Sequence, residues 1–243
     1  MCVHKYDNFI EKSILSVLSQ SDIDFLFYII VNGDDDFLWD YLCSIKDSRV
    51  KLYRTKITQL CFNLNYGVNL IKSDYILRMD ADDICTLDRL EKTKNHLEKL
   101  DFPDVFSASY FLIDEDGNNI GESIESYSVD DIRSLLWKRN PICHPTVAIK
   151  RNVLIGNGGY SWGFNSEDYD LWIRLFRSDD VTAVRVKDIL ISYRLSSAQS
   201  RGKLLPYSEV AGLMLREFLL MRKVKYFLGF LLAILKAIFR NEG

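Results

Sequence analysis

Tyr75-Ile76-Leu77-Arg78-Met79-Asp80-Ala81-Asp82-Asp83 is a short apolar run that breaks into carboxylates. Its length suits a buried strand, and the charged break marks the strand's end. Open α/β sheets bind ligands at the carboxyl ends of their strands. Asp80 and Asp82 reach one point if the strand has just opened into a loop, with Arg78 immediately before them. Crowded carboxylates repel one another unless a cation neutralises them. A hard divalent ion with oxygen ligands, Mn²⁺ or Mg²⁺, is the natural solution, and it would grip a nucleotide diphosphate. The plainer alternative is an acidic turn in which Asp83 or Asp88 caps the next helix.

Working outward, the same strand–helix alternation recurs. Asn8 to Leu18 has apolar residues at helical spacing, with Asp7 or Asn8 as cap. Phe25 to Val31 is a continuous apolar run ending in Asn32-Gly33, a buried strand entering a turn. Phe37 to Ile45 reads as helix, Val50 to Tyr53 as strand, Asn63 to Ile71 as helix and Asp88 to Leu100 as a charged amphipathic helix. Val105 to Ile113 is strand-like, closed by Asp114-Glu115-Asp116-Gly117. Later, Asp130 to Trp137 and Asp168 to Phe176 look helical, while Val181 to Val186 and Ile189 to Tyr193 look extended. This is an α/β sheet with parallel elements. Only Met1-Cys2-Val3 precedes the first helix, so the first strand is expected to be nearly absent unless the chain starts further upstream.

Three other segments carry chemistry. Asn32-Gly33-Asp34-Asp35-Asp36 ends a strand on the expected side of the sheet for Asp80, and a carboxylate there can accept hydrogen bonds from a ribose or base. Gly158 to Asp168 is a Gly/aromatic loop leading to Glu167-Asp168 at a helix start. The helix N-terminus favours ionised carboxylates there, as a general base requires, and Trp162 and Phe164 could stack on a sugar face. His144, between Pro141 and Pro145, lies on a rigid turn. For each, the bland reading is structural: a solvated turn, a helix cap with core aromatics, a satisfied histidine.

The 243 residues are 48% hydrophobic and 27% charged, with 4 prolines, which excludes disorder and repeat fibres. A net charge of -3 argues against nucleic-acid polymers as partners. Five cysteines without C-x-x-C read as reduced thiols. The last stretch is different. From Arg216 to Arg240, the cations Arg216, Arg222, Lys223, Lys225, Lys236 and Arg240 stand against Glu217 alone. The apolar run Tyr226 to Leu235 would span about 15 Å as helix, half a bilayer core. Residues 1–205 are therefore expected to form the main domain and 206–243 an amphipathic helical tail that lies on a membrane surface, with packing on the domain or on a second subunit as the alternative.

Taken in order, these segments resemble the family-2 glycosyltransferases of the GT-A fold, from about Val3 to Arg201. The resemblance rests on Phe9 to Gln20, Ile29 to Asn32, Tyr75 to Arg89, His144-Pro145-Thr146, Gly158-Gly159-Tyr160 and Glu167 to Arg174. It implies a mostly parallel mixed sheet flanked by helices, and inverting transfer of a hexose, galactose or glucose, from a UDP-sugar. Asp80 and Asp82 would hold Mn²⁺ or Mg²⁺ on the diphosphate, with Arg78 beside them. Asp34 or Asp35 would contact the nucleoside. Asp168 would be the base and Glu167 would orient the acceptor. The short first strand departs from the family pattern. So does Tyr193-Arg194-Leu195-Ser196-Ser197, where a histidine is common, and His144 is a weak substitute. Small bacterial members with a basic apolar tail suggest a lipid-linked acceptor, GlcNAc on undecaprenyl diphosphate, at the cytoplasmic face of the inner membrane during O-antigen or capsule synthesis. The rival readings are another metal-dependent nucleotidyl or phosphoryl enzyme and a membrane-associated partner lacking a complete nucleotide pocket.

Overall fold

A computed structural model describes residues 1–161, 163–195 and 204–239. Trp162, Ser196, Ser197, Arg201 and Arg240, which figure in the sequence reading, lie outside the described residues.

The chain opens with β1 (Cys2–Val3), α1 (Ile10–Leu18), β2 (Phe27–Asn32), α2 (Asp36–Ser44), β3 (Val50–Thr55), α3 (Leu60–Leu70) and β4 (Tyr75–Leu77). There follow β5 (Ile84–Cys85), α4 (Arg89–Lys99), β6 (Val105–Ile113), β7 (Asn119–Ser123) and α5 (Val129–Leu135). A 3₁₀ turn at His144–Thr146 leads into β8 (Ala148–Lys150), α6 (Arg151–Gly156), α7 (Glu167–Leu175), β9 (Ala183–Arg194), α8 (Leu204–Met221) and α9 (Val224–Phe239). Local chemistry accounts for several boundaries. Asp7 Oδ1 accepts from the amides of Phe9 and Ile10, satisfying free N–H groups at the start of α1. Ser128 and Asp131 form a reciprocal capping box on α5.

The sheet is in two parts. β1, β2 and β3 are parallel in that order. The larger sheet runs β4-β8-β6-β9-β5, with β7 on β6. Its central pair β6/β9 is parallel, while the β4/β8, β6/β8, β5/β9 and β6/β7 pairs are antiparallel. The expected alternation of strands and helices is therefore present as a mixed sheet. The apolar runs at Val181 to Val186 and Ile189 to Tyr193 fuse into one twelve-residue strand, β9.

The first strand is a stub, as its sequence implied. It pairs only Cys2 with Ile30 and Val3 with Val31. Between β2 and β4 lies a cavity of about 710 Å³, bordered by Met1, Phe27 and Tyr28 on one side and Tyr75 to Met79 on the other. The Met1 ammonium donates to the Tyr28 carbonyl at 3.0 Å across its edge.

The basic C-terminal stretch is a helical hairpin, and it sits on the domain. Leu213 and Met214 of α8 and Tyr226 of α9 join the main core, with Leu171, Trp172 and Leu175 of α7. α9 comes so close that a Cβ on Gly229 would lie 2.3 Å from the Trp137 carbonyl oxygen, so only glycine fits. Arg216 and Glu217 are not part of a solvated basic face. Arg216 Nη1 bonds Asp170 at 2.7 Å, and Glu217 is buried with Arg177 Nε donating to it at 2.8 Å. The outer side of the hairpin exposes Leu219, Leu220, Phe227, Leu228, Leu231 and Leu235 beside Arg222 and Lys223.

Candidate active site

β4 ends at Leu77, and the chain leaves the sheet at Arg78. The turn that follows is fixed from three directions. Ser13 Oγ of α1 donates to the Asp80 carbonyl at 3.1 Å. Arg194, at the end of β9, donates through Nε to the Asp82 carbonyl and through its amide to Asp83 Oδ1, both at 2.8 Å. Arg89 Nη2 of α4 donates to the carbonyls of Arg78 and Pro145 at 2.7 Å. The backbone of the turn is held, with Asp83 fully buried and Asp80 and Asp82 partly exposed.

Their environments differ. Burial pushes Asp80 up, but Arg78, ion-paired to its Oδ1, and nearby His144 outweigh it, and Asp80 titrates below the ordinary range. Asp82 is pushed up to about 6 by burial and by the charge of Asp80. Asp83 is raised well above the usual value by burial, then by Asp80 and Asp82. Its Oδ2 is buried without a partner. The turn thus carries more negative charge than its own cations offset.

The second half of the site comes from α7. Glu167 and Asp168 open this helix, and Leu171, Trp172, Ile173 and Leu175 anchor it in the core. The helix N-terminus favours carboxylates here, but burial wins. Glu167 rises to about 8, from burial and then the charge of Asp168. Asp168 rises less, to about 6, because the Tyr169 amide and Asn140 Nδ2, at 2.8 Å, stabilise its charged form against burial. At neutral pH Asp168 is mainly ionised and Glu167 mainly protonated. Both feel the charge of Asp80, so the acidic turn and the start of α7 lie near one another.

The other sequence candidates fall elsewhere. His144 is buried, its Nε2 is 2.8 Å from the Tyr160 hydroxyl, and burial and Arg78 depress it to about 3. It packs as a neutral ring against Tyr160 and Trp172. Asp35 caps α2: Oδ1 accepts from Leu38 and Oδ2 from Tyr6, each at 2.9 Å. Asp34 is exposed at the end of β2, in the smaller sheet. The sequence reading assigned no role to Asn140, Arg194 or Glu209. Side chains that act through hydrogen bonds to partners far off in the sequence leave no periodic signal, and only the strand-end position of Arg194 hints at its use.

No three His, Cys, Asp or Glu side chains converge into a metal cage among the described residues. The donor set fits another kind of ion. Mg²⁺ and its analogues are commonly held by one or two carboxylates, with substrate phosphates completing the shell. Asp80 and Asp82, both only partly buried, suit that arrangement.

Residues 1–158 match the sequence family described as Glycosyl transferase family 2. The chain is 36% identical to the O-antigen biosynthesis glycosyltransferase WbnJ of Escherichia coli, over 99% of this chain and 95% of that one. It is 28% identical to the Escherichia coli UDP-Gal:alpha-D-GlcNAc-diphosphoundecaprenol beta-1,3-galactosyltransferase, over 68% of this chain and 58% of the other. In fold it is similar to the S. aureus TarS fragment 1–349 in complex with UDP-GlcNAc, with a TM-score of 0.67 at 14% identity. That match covers 89% of this chain and 65% of the TarS fragment, just under two thirds of its length.

Proposed function

The chain belongs to glycosyl transferase family 2 and is a glycosyltransferase, and from that premise we propose that it moves galactose or glucose from a UDP-sugar, with inversion, onto GlcNAc carried by undecaprenyl diphosphate, in O-antigen or capsule synthesis. The observation that carries this is the approach of two acidic groups 85–88 positions apart, Asp80–Asp82 after β4 and Glu167–Asp168 opening α7, close enough that the charge of Asp80 acts on both carboxyls of the second. The printed names of the two Escherichia coli relatives support the polysaccharide setting and the lipid-linked acceptor.

In this reading the donor diphosphate lies over Asp80 and Asp82, with Asp34 at the nucleoside end. Bound Mn²⁺ or Mg²⁺ supplies charge neutralisation for the leaving diphosphate. Asp168 takes the proton of the acceptor hydroxyl as its oxygen attacks the anomeric carbon from the face opposite the diphosphate. A single displacement of this kind inverts the configuration. Glu167, protonated, donates a hydrogen bond that orients the acceptor. Arg78 keeps Asp80 ionised, and Arg194 keeps the turn from relaxing away from the donor. The test is a panel of UDP-sugars offered with a GlcNAc-diphosphate lipid. Transfer of one hexose with release of UDP is the expected result. Absence of transfer from every UDP-hexose would refute it.

The hairpin gives the reading its location. No described helix is long and apolar enough to cross a membrane. The apolar stripe of α9, flanked by Arg222, Lys223 and Lys225, suits the interface of an anionic membrane at the cytoplasmic face. There each cation contributes up to about 1 kcal/mol. Replacing Leu228, Leu231 and Leu235 together by glutamate leaves the core untouched, because all three are exposed. The triple variant is expected to bind anionic vesicles at least about tenfold more weakly, since burying each leucine is worth roughly 1.5–3 kcal/mol. Wild-type binding should also weaken with salt. If the wild type ignores vesicles and elutes as a dimer that the triple variant breaks, the stripe is a subunit interface instead.

A further inference from the structure

The loop 163–166, just before α7, is held by one carboxylate from the C-terminal hairpin. Glu209 of α8 accepts from the Phe164 amide at 2.8 Å through Oε1. Through Oε2 it accepts from the Asn165 amide at 3.1 Å and the Ser166 hydroxyl at 2.7 Å. Gly163, at φ +94°, makes the turn possible, and a Cβ there would stand 3.0 Å from Ser166 Oγ and 3.2 Å from Glu209 Oε2. The result is a fixed backbone that points an aromatic ring outward: Phe164 is 71% exposed.

Beside the loop is a second cavity, of about 400 Å³, bordered among the described residues by Ser208, Glu209, Gly212, Leu213 and Arg216. Arg216 is only partly used. Nη1 bonds Asp170 and Nε bonds Glu217, while Nη2 is shielded from solvent and has no partner. Arg174, Arg177 and Arg216 share Asp170 and Glu217, and Glu209 at the groove's edge supplies a third carboxylate, so the groove lacks the excess positive charge that a diphosphate needs. The groove offers the hydroxyl of Ser208, and the exposed Phe164 ring stands on the loop that its lining residue Glu209 holds; polar groups beside an apolar face are how concave ligand sites are commonly built. Phe164 is four residues before Asp168, so their Cα atoms are at most about 14 Å apart. A glycan seated on the ring can therefore present a hydroxyl to Asp168.

We propose that the acceptor saccharide binds between loop 163–166 and α8, with Phe164 as its stacking face, Ser208 as a partner for its hydroxyls, and Glu209 as the positioning residue that holds the loop. This rests on the reading of Asp168 as the base. It makes the hairpin part of acceptor recognition, whatever surface its outer face meets.

The probe is GlcNAc diphosphate carrying a short alkyl chain, titrated by calorimetry into wild type, Phe164→Ala, Glu209→Ala and Glu209→Gln, with UDP plus Mn²⁺ titrated separately. Phe164→Ala is expected to weaken probe binding about tenfold or more and to leave the UDP titration unchanged. Glu209→Ala should do the same, and Glu209→Gln, which keeps one acceptor oxygen, should recover part of the loss. In turnover assays these variants raise the acceptor KM more than they lower kcat. Wild-type probe affinity in folded Phe164→Ala and Glu209→Ala overturns the proposal, as does loss of UDP binding in parallel with probe binding. A flat UDP titration in the wild type refutes the donor reading, while the probe titration still decides the groove.

Discussion

Asp168→Asn is expected to lower turnover by about 10²–10⁴-fold while UDP binding persists. The asparagine is nearly isosteric, can keep the contact with Asn140, and cannot accept the proton. Of the two carboxyls opening α7, Asp168 is the one ionised at neutral pH, because Asn140 and the Tyr169 amide stabilise its charge. In Glu167 burial and the charge of Asp168 outweigh the backbone hydrogen bond it accepts and the pull of Arg78, and its carboxyl is pushed up to about 8. The sign of the pH dependence follows. A base must be unprotonated, so wild-type turnover should fall as pH drops through about 6. Glu167→Gln, which keeps a donor and removes the titration, should cost much less than Asp168→Asn. Equal loss in both variants, or loss of UDP binding in Asp168→Asn, would move the base elsewhere.

Removing the metal is expected to abolish transfer altogether. Asp82 is pushed up to about 6 by burial and by Asp80, so two adjacent carboxylates compete for the ionised state. A divalent cation would relieve that repulsion and draw both into the charged form. Asp82→Asn removes one charge from the set and should reduce activity by at least about 10²-fold at saturating donor. Because Arg194 and Ser13 grip the turn through its backbone carbonyls, the substitution should leave the fold intact. EDTA should do the same to the wild type, and Mn²⁺ or Mg²⁺ should restore it. Full activity in EDTA, with UDP binding independent of metal, would remove the ion from the mechanism.

What could be read in the sequence was local. Asp80 and Asp82 announce themselves because an apolar strand ends in charge, and β6 spans the same residues, Val105–Ile113, in sequence pattern and in structure. Asp168 was visible as a carboxylate at a helix start, with Phe164 marked four residues before it. What stayed hidden was non-local. β6 pairs with β9 almost eighty positions later, as Val105 with Ala183, and no period in either segment encodes that partner. The two-residue β5 is below the length at which alternation is detectable. The pattern of Asp34-Asp35-Asp36 could not say which carboxylate caps α2, a job that falls to Asp35 and leaves Asp34 free at the surface. Arg216 read as part of a basic stripe, because charge counting cannot see that Asp170 and Glu217 fold back to meet it.

The break between β2 and β4 has a consequence for cooperativity. Hydrogen-bonded ladders couple strands so that they open together, and among the described residues no ladder crosses from the smaller sheet to the larger. The two halves are coupled by weaker means: the Ser13 hydroxyl on the Asp80 carbonyl, Gln20 on the Thr86 carbonyl, and side-chain packing around a void. A donor with its diphosphate over Asp80 and its nucleoside toward the end of β2 would touch both. Ligand would then act as the missing mechanical tie, and its binding free energy would appear as folding stability, about 2.7 kcal/mol at a hundredfold excess over the dissociation constant.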